Sequence, residues 1–167
     1  MMEMLVVLAI LAVALTLAFN GRSAIGDRNL TGMARKIETD LRMMEQRART
    51  ERTCYRVDFN PAADAYTIRR YNGAVSAGTG GSGATCDDAS AWDVSPTVGE
   101  VVGDTVSRRM PNGIDLVSST FTAVGPLNVL TMGPFGNANA GSVTIQSAGG
   151  ATRQIVVEAF GRVTIQP

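Results

Sequence analysis

The feature that most limits what this chain can fold into is an uncharged run near its N-terminus. Residues 4–19 carry no charge, and Thr16 is their only polar side chain. The run contains neither glycine nor proline, so it can form one continuous helix that is apolar on every side. Together with the three residues before it, such a helix rises about 28 Å, close to the thickness of a bilayer core. We therefore predict that residues 1–20 form a transmembrane helix.

Three other interpretations of this run are open. A cleaved signal peptide would need a basic start, but Glu3 is the only charged residue before Arg22. A helix buried inside a soluble domain would need an apolar enclosure, and the chain that follows is polar. An ordinary single-span anchor is compatible with the run and leaves Glu3 as a residue at the membrane interface. The alternative role for Glu3 is to pair with a cation once the helix has left the bilayer.

Apolar residues then recur at helical spacing and form one stripe. The stripe predicts an amphipathic second half of the helix over residues 21–53, with the stripe turned toward a core. Glu38 with Arg42, and Glu45 with Arg49, have the acid-first spacing that stabilises an exposed helix face. The members of the stripe are Leu30, Met33, Ala34, Ile37, Leu41, Met44 and Ala48.

From Cys54 the pattern changes to a period of two, which predicts a β-rich head over residues 54–167. A hairpin is expected around the turn at residues 60–64, and residues 72–96 read as a long loop with Trp92 anchored to the core. The last three strands are expected to form a meander with one buried face. The fold class is therefore α+β, a long helix packed on an antiparallel sheet. Beyond the hairpin, strands are predicted at residues 101–110, 114–121, 128–132, 142–146, 153–158 and 162–166.

Composition excludes several classes of function. The 167-residue chain has no histidine, which removes His-based triads, His general bases and the usual His-containing zinc sites. Lys plus Arg and Asp plus Glu both number 15, so no overall basic field draws the chain to nucleic acid. We predict a protein that is not an enzyme and that holds no metal and no cofactor.

Cys54 and Cys86 are the only cysteines. In a chain whose apolar N-terminus indicates export, one disulfide between them is the natural expectation, and two free buried thiols are the alternative. The bond would close a span that contributes about 3–4 kcal/mol in the chain-entropy model.

Two further motifs lack the context that their chemistry needs. Residues 78–83 spell GxGxxG, but no apolar strand precedes them and no helix follows, so a flexible loop is the better interpretation. Asp87, Asp88 and Asp93 could offer oxygen ligands to calcium, but their spacing matches no EF-hand, and solvated loop charge is the default.

The start of the chain, MMEMLVVLAIL, resembles the start of a mature type IV pilin or type II secretion pseudopilin. Glu3 falls on the single charged residue of that family's apolar segment, where it neutralises the N-methylated amino terminus of a neighbouring subunit. Two residues precede Glu3 here, where the family has four. A leader peptidase is an expected partner if a leader precedes Met1. Pilins in filaments often loosen their helix, and here Gly21 and Gly26 are the expected place.

The end of the chain resembles the H-type (GspH/FimT-like) minor pseudopilins and minor pilins. The shared features are the turn GPFG at residues 133–136, the strands VTI and IVV, and the closing GRVTI from Gly161 to Ile165. The resemblance implies a structural subunit of a type IV pilus or type II secretion filament, with Glu3 setting the register. It also implies other pilin subunits as partners through the helix, and a single pass of the bacterial inner membrane before assembly.

DNA binding for natural transformation is the alternative function. FimT-type minor pilins that bind DNA end in Gly-Arg-x-Arg, and here Gly161 and Arg162 match while Thr164 replaces the second arginine. Arg153 is the only other cation near the C-terminus. Two arginines predict weak DNA contact with a shallow dependence on salt. A plain membrane-anchored domain that never assembles is a further possibility.

Overall fold

A long N-terminal helix is followed by a head made of β-strands. The computed structural model describes residues 2–73, 86, 92, 101–102 and 105–167. The helix α1 spans Met2–Glu51, and a short 3-10 turn spans Pro61–Ala63. The strands found among the described residues are β1 (Tyr55–Asn60), β2 (Ala65–Arg70), β3 (Val101–Val102), β4 (Thr105–Arg109), β5 (Ile114–Ser119), β6 (Thr122–Val124), β7 (Leu127–Met132), β8 (Gly141–Ser147), β9 (Thr152–Val157) and β10 (Val163–Gln166).

The second half of α1 packs against the head as its periodicity predicts. All seven residues of the apolar stripe are buried, and Leu30, Ala34, Ile37 and Ala48 have no exposed surface. The helix lies on β8, β9 and β10 and also touches β1, β5 and β7. The apolar stripe is therefore one wall of the core.

The helix is assigned without interruption through Gly21 and Gly26. The loosening expected at these glycines concerns the filament that the family resemblance implies. It stays a prediction for that state.

The head consists of two antiparallel sheets, where the sequence led us to expect one. The six-stranded sheet has the order β3-β4-β2-β1-β7-β6, and the four-stranded sheet has the order β10-β9-β8-β5. The expected hairpin is β1 with β2, in the register Val57 opposite Ile68. The expected meander is β8-β9-β10, in which Val163 lies opposite Val157. The α+β class, a helix packed on antiparallel sheet, is confirmed.

Two details of the strand prediction are wrong. Residues 101–110 form two strands, because Val101 pairs with Val106 and Val102 pairs with Thr105. The two residues between them are Gly103 and Asp104, a pair typical of tight hairpin turns. The prediction also missed β6, an exposed edge strand that folds back on β7 through Gly125, whose φ is +61°.

The core lies between α1 and the inner faces of both sheets. The ring of Phe59 on β1 stacks on that of Phe121, with the ring centroids 5.5 Å apart. The ring centroid of Tyr66 on β2 lies 6.1 Å from that of Phe59. Val143 and Ile145 of β8 and Ile155 of β9 are fully buried beneath the helix. One core thus binds the helix to both sheets and holds the helix at a fixed position on the head.

Candidate functional site

The first half of α1 presents apolar side chains to its surroundings. Met4 is 76% exposed and Ile10 63%, and Val7, Leu8, Leu11 and Val13 are also more than half exposed. Glu3 lies in the first turn of the same helix, and its side chain lies outside the described part. This segment is a helix surface that the head of its own chain does not cover.

Over the residues that the structure describes, none of the helices is long and apolar enough to cross a membrane.

A buried carboxylate connects the helix to the six-stranded sheet. Asp40 is only 7% exposed, and it accepts a hydrogen bond of 2.7 Å from the Tyr66 hydroxyl. The guanidinium of Arg108 on β4 lies 2.8 Å from the same carboxylate oxygen. Burial and the hydrogen bond to Asp40 raise the pKa of the Tyr66 hydroxyl, so the hydroxyl keeps its proton and donates it to the carboxylate.

We expect Arg108→Met to lower the free energy of unfolding by about 2–3 kcal/mol. The buried carboxylate of Asp40 would lose its cation and keep only the neutral Tyr66 hydroxyl as a hydrogen-bond donor. The value lies below the range for fully buried pairs, since the Arg108 side chain is 33% exposed and water already screens it. The measurement is urea denaturation of the full chain in mild detergent.

Arg109→Met is the matched control. Arg109 is the next residue of β4, is exposed, and has no ion pair among the described residues. Its replacement should change stability by less than about 0.5 kcal/mol. Equal effects of the two variants would show that the contact with Asp40 does not stabilise the fold.

A second buried carboxylate lies on the opposite face of the six-stranded sheet. Asp58 alternates with the core residues Val57 and Phe59, so it faces away from the helix. It is 3% exposed and is paired with Arg56 and, at 2.7 Å, with Arg69. Asp58 therefore forms ion pairs with two of the arginines of the head.

Two points of the predicted loop at residues 72–96 are attached to the start of this sheet. Cys54 and Cys86 form a disulfide with their Cα atoms 6.4 Å apart. Trp92 forms a β-bridge with Tyr71, and its ring meets the Tyr71 ring edge-on at 5.0 Å. Arg56 lies 5.8 Å from the centre of the Trp92 ring. Most of this loop, including the GxGxxG motif and Asp87, Asp88 and Asp93, lies outside the described residues.

Two glycine turns, at Gly136 and Gly161, lie close against the C-terminal part of α1. A Cβ on Gly136 would lie 2.3 Å from the Arg49 guanidinium, and a Cβ on Gly161 would lie 3.0 Å from the Gly136 carbonyl oxygen. Both glycines have φ near +80°, a conformation that costs other residues energy. Arg49 is itself paired with Glu45 at 2.6 Å. Both ion pairs expected on the helix surface are present: Glu45 with Arg49, and Glu38 with Arg42.

The arginines weighed as DNA contacts are not brought together. Arg162 precedes β10 and lies opposite Glu158, whereas Arg153 lies near the other end of β9. Five residues of strand, about 17 Å, separate the two positions. Other arginines are engaged by acids, since Arg70 lies 2.9 Å from Glu51. The described residues therefore show no concentrated basic patch at the C-terminus of the head.

Among the residues that the structure describes, no group of three or more Cys, Asp or Glu side chains could hold a metal ion. The polar clusters built on Asp40 and Asp58 are ion pairs that join elements of the fold. Sequence reasoning missed both, although Asp40 follows Ile37 by three residues and precedes Met44 by four, which places it at the edge of the stripe.

Comparison with known proteins identifies the fold. No family model and no curated protein matches the sequence. The structure of the minor pseudopilin EpsH from the Type 2 Secretion System of Vibrio cholerae has a TM-score of 0.56 at 11% identity, and the match covers 83% of this chain and 96% of that one. The type IV minor pilin FimU of Pseudomonas aeruginosa has a TM-score of 0.52 at 11% identity, with 84% and 90% covered. The pilin-like fold predicted from the sequence is confirmed.

Proposed function

We propose that this chain is a structural subunit, a minor pilin or pseudopilin, of a type IV pilus or type II secretion filament. The observation that carries the proposal is the division of α1. Its second half is buried on the head, whereas apolar residues of its first half, such as Met4 and Ile10, are exposed. A helix that is apolar on its outer surface must be covered by lipid or by other helices. Sister subunits of a filament supply such helices.

Before assembly, the same helix would anchor the chain in the bacterial inner membrane in a single pass. The support is the sequence of residues 4–19, which carries no charge over a length that matches a bilayer core. The head would lie in the periplasm or outside, a compartment in which the disulfide between Cys54 and Cys86 persists. A leader peptidase would act on the chain if a leader precedes Met1, and N-methylation would follow.

In the filament, Glu3 would set the register between neighbours. An apolar helix bundle has a low dielectric constant, so an unpaired carboxylate there is costly and a nearby cation is strongly preferred. The N-terminal ammonium group of a neighbouring subunit is the cation that we propose. Only one axial offset between two helices brings that group to the height of Glu3.

The test of the proposed function is sedimentation of sheared filaments. In cells that produce a pilus or secretion filament, we expect the full chain to sediment with the filaments. A chain whose residues 1–20 are replaced by a cleavable secretion signal should be exported and stay in the supernatant. Recovery of the full chain from membranes alone would contradict the proposal and favour a plain anchored domain.

DNA uptake is the alternative function. The observation that supports it is that Arg162 is exposed and has no ion pair among the described residues. Because Arg153 lies about 17 Å away, we expect a gel shift of duplex DNA only at low salt, and none near 0.15 M, where the Debye length is about 8 Å. Arg162→Gln is the matched variant. A shift at that salt which Arg162→Gln abolishes would favour the DNA-binding function.

A further inference from the structure

Two exposed phenylalanines lie on neighbouring turns at one end of the head. Phe135 is 73% exposed and Phe160 is 84% exposed. Phe135 belongs to the turn at residues 133–136, and Phe160 belongs to the turn between β9 and β10. The two turns meet, because the Ala138 amide donates a hydrogen bond of 2.9 Å to the Ala159 carbonyl oxygen. A single exposed apolar side chain is ordinary, but two large rings on adjoining turns favour a partner. We call these two phenylalanines the aromatic patch.

The aromatic patch marks the end of the head that lies at the C-terminal part of α1. A Cβ on Gly161, the residue after Phe160, would lie 3.1 Å from the Glu45 carboxylate. The opposite end of the head lies at the last residue of β8, since a Cβ on Gly26 would lie 3.8 Å from the Cβ of Ser147. The helix rises about 28 Å between Gly26 and Glu45, and this is the separation of the two ends along α1.

A cavity of about 350 Å³ opens at that opposite end of the head. Its walls are residues 62–64, at the turn between β1 and β2, and residues 109–115, at the connection from β4 to β5. The Gly113 carbonyl oxygen accepts a hydrogen bond of 2.9 Å from the Ala148 amide, which follows β8 directly. The Asp64 carboxylate accepts a hydrogen bond of 3.1 Å from a backbone amide of β5. This volume is within the range of ligand-binding cavities. We call it the end cavity.

The two ends of the head carry complementary charges. Glu158 and Arg162 lie two residues before and two residues after Phe160, and both are exposed. The lining of the end cavity includes Arg109 and Asp115, which are also exposed. Within the part of the chain that the structure describes, none of these four charged side chains is in an ion pair. Each end therefore offers one acid and one cation to a partner.

We propose that the aromatic patch of one copy binds in the end cavity of a second copy of this chain. In this contact Glu158 of the first copy faces Arg109 of the second, and Arg162 faces Asp115. The patch and the cavity lie at opposite ends of the head, so one head cannot join its own two surfaces. A contact between unlike surfaces leaves both outer ends free, and its repetition builds a filament when the rotation does not close a ring.

The contact also sets the axial offset between two copies. The patch and the cavity are separated along α1 by about 28 Å, so the second copy is displaced by about that distance. Charge complementarity favours this offset and suppresses others. The inference rests on the proposed function, and it adds a contact between heads to the helix packing proposed there.

A photoreactive side chain in the aromatic patch tests the contact directly. Phe160 is replaced by p-benzoylphenylalanine, which keeps an aromatic ring and, on irradiation, bonds to a C–H group that it touches. Irradiation of membranes and sheared filaments that contain the full chain should yield a cross-linked dimer. Mass spectrometry should then show position 160 of one copy joined to residues 62–64 or 109–115 of the other.

The matched control carries the same photoreactive group at Val117. This residue is 50% exposed and lies within β5, outside both turns of the aromatic patch. It should give no dimer that is joined through the end cavity.

A charge exchange tests the partners within the contact. Arg109→Glu places an acid opposite Glu158 and should reduce the dimer formed through position 160 at least about fivefold. Adding Glu158→Arg to the same chain should restore the dimer, because the two charges are again opposite. Urea denaturation of each variant shows that the head is still folded.

Other outcomes would overturn the inference. These are a cross-link from position 160 to a different protein, a cross-link to another surface of the second copy, no cross-link, or a dimer that Arg109→Glu leaves unchanged. The proposed function is judged separately, by sedimentation. Filaments that contain the chain without this dimer would reject the inference alone, whereas the dimer in a chain absent from filaments would reject the function alone.

Discussion

Glu3→Gln is expected to lower the amount of this chain in sheared filaments at least about tenfold. The substitution keeps the shape of the side chain and removes its charge, so under the proposed role of Glu3 the neighbour's ammonium group would lose its partner in a bundle of low dielectric constant. A loss of about 2 kcal/mol lowers an association constant about thirtyfold. The measurement is the ratio of filament-bound to membrane-bound chain, by immunoblot.

The matched control for this prediction is Asp27→Asn. Asp27 is an acid of the same helix, but its side chain is exposed, so its neutralisation should leave incorporation unchanged. Both variants should remain in the membrane with the disulfide of the head intact. Normal incorporation of Glu3→Gln would reject the role proposed for Glu3, and the function would then have to rest on the apolar helix surface alone.

Reduction of the disulfide is expected to lower the free energy of unfolding of the head by about 3 kcal/mol. Cys54 and Cys86 are 32 residues apart in the sequence, so the bond removes many conformations from the unfolded chain. The measurement is urea denaturation of the full chain in mild detergent, with and without a reductant.

A variant without the bond separates this effect from any other action of the reductant. The double variant Cys54→Ala, Cys86→Ala should unfold at the lower urea concentration in both conditions. The amount of the variant that reaches filaments shows whether the stability is needed for assembly. An unchanged midpoint for the reduced native chain would contradict the prediction.

The elements built from local periodicity were predicted well, because their signals lie within a few residues. The stripe from Leu30 to Ala48 follows the turn of a helix, and every member is buried. The hairpin of β1 and β2 follows the same logic, because its two strands are joined by a turn of a few residues. The spacing of Glu45 and Arg49 predicts their ion pair in the same way, and the structure shows it.

Pairings between distant parts of the chain were not predicted. β1 pairs with β2, which follows it directly, and also with β7, which comes much later in the chain. β5 pairs with β8 in the second sheet. No local pattern encodes which strands meet, since strand pairing depends on contacts between residues far apart in the sequence. The prediction of a single sheet was wrong for this reason.

The sequence by itself determined that this chain has an unbroken apolar helix segment, an amphipathic continuation and an alternating head, because each follows from the hydropathy of neighbouring residues. Only the tertiary structure decided that Asp40 and Asp58 are buried ion-pair centres. A carboxylate becomes tolerable in a core when Arg108, Arg56 or Arg69 lies beside it. Arg108 lies on β4 and Arg69 lies on β2, so folding alone brings these two arginines to Asp40 and Asp58.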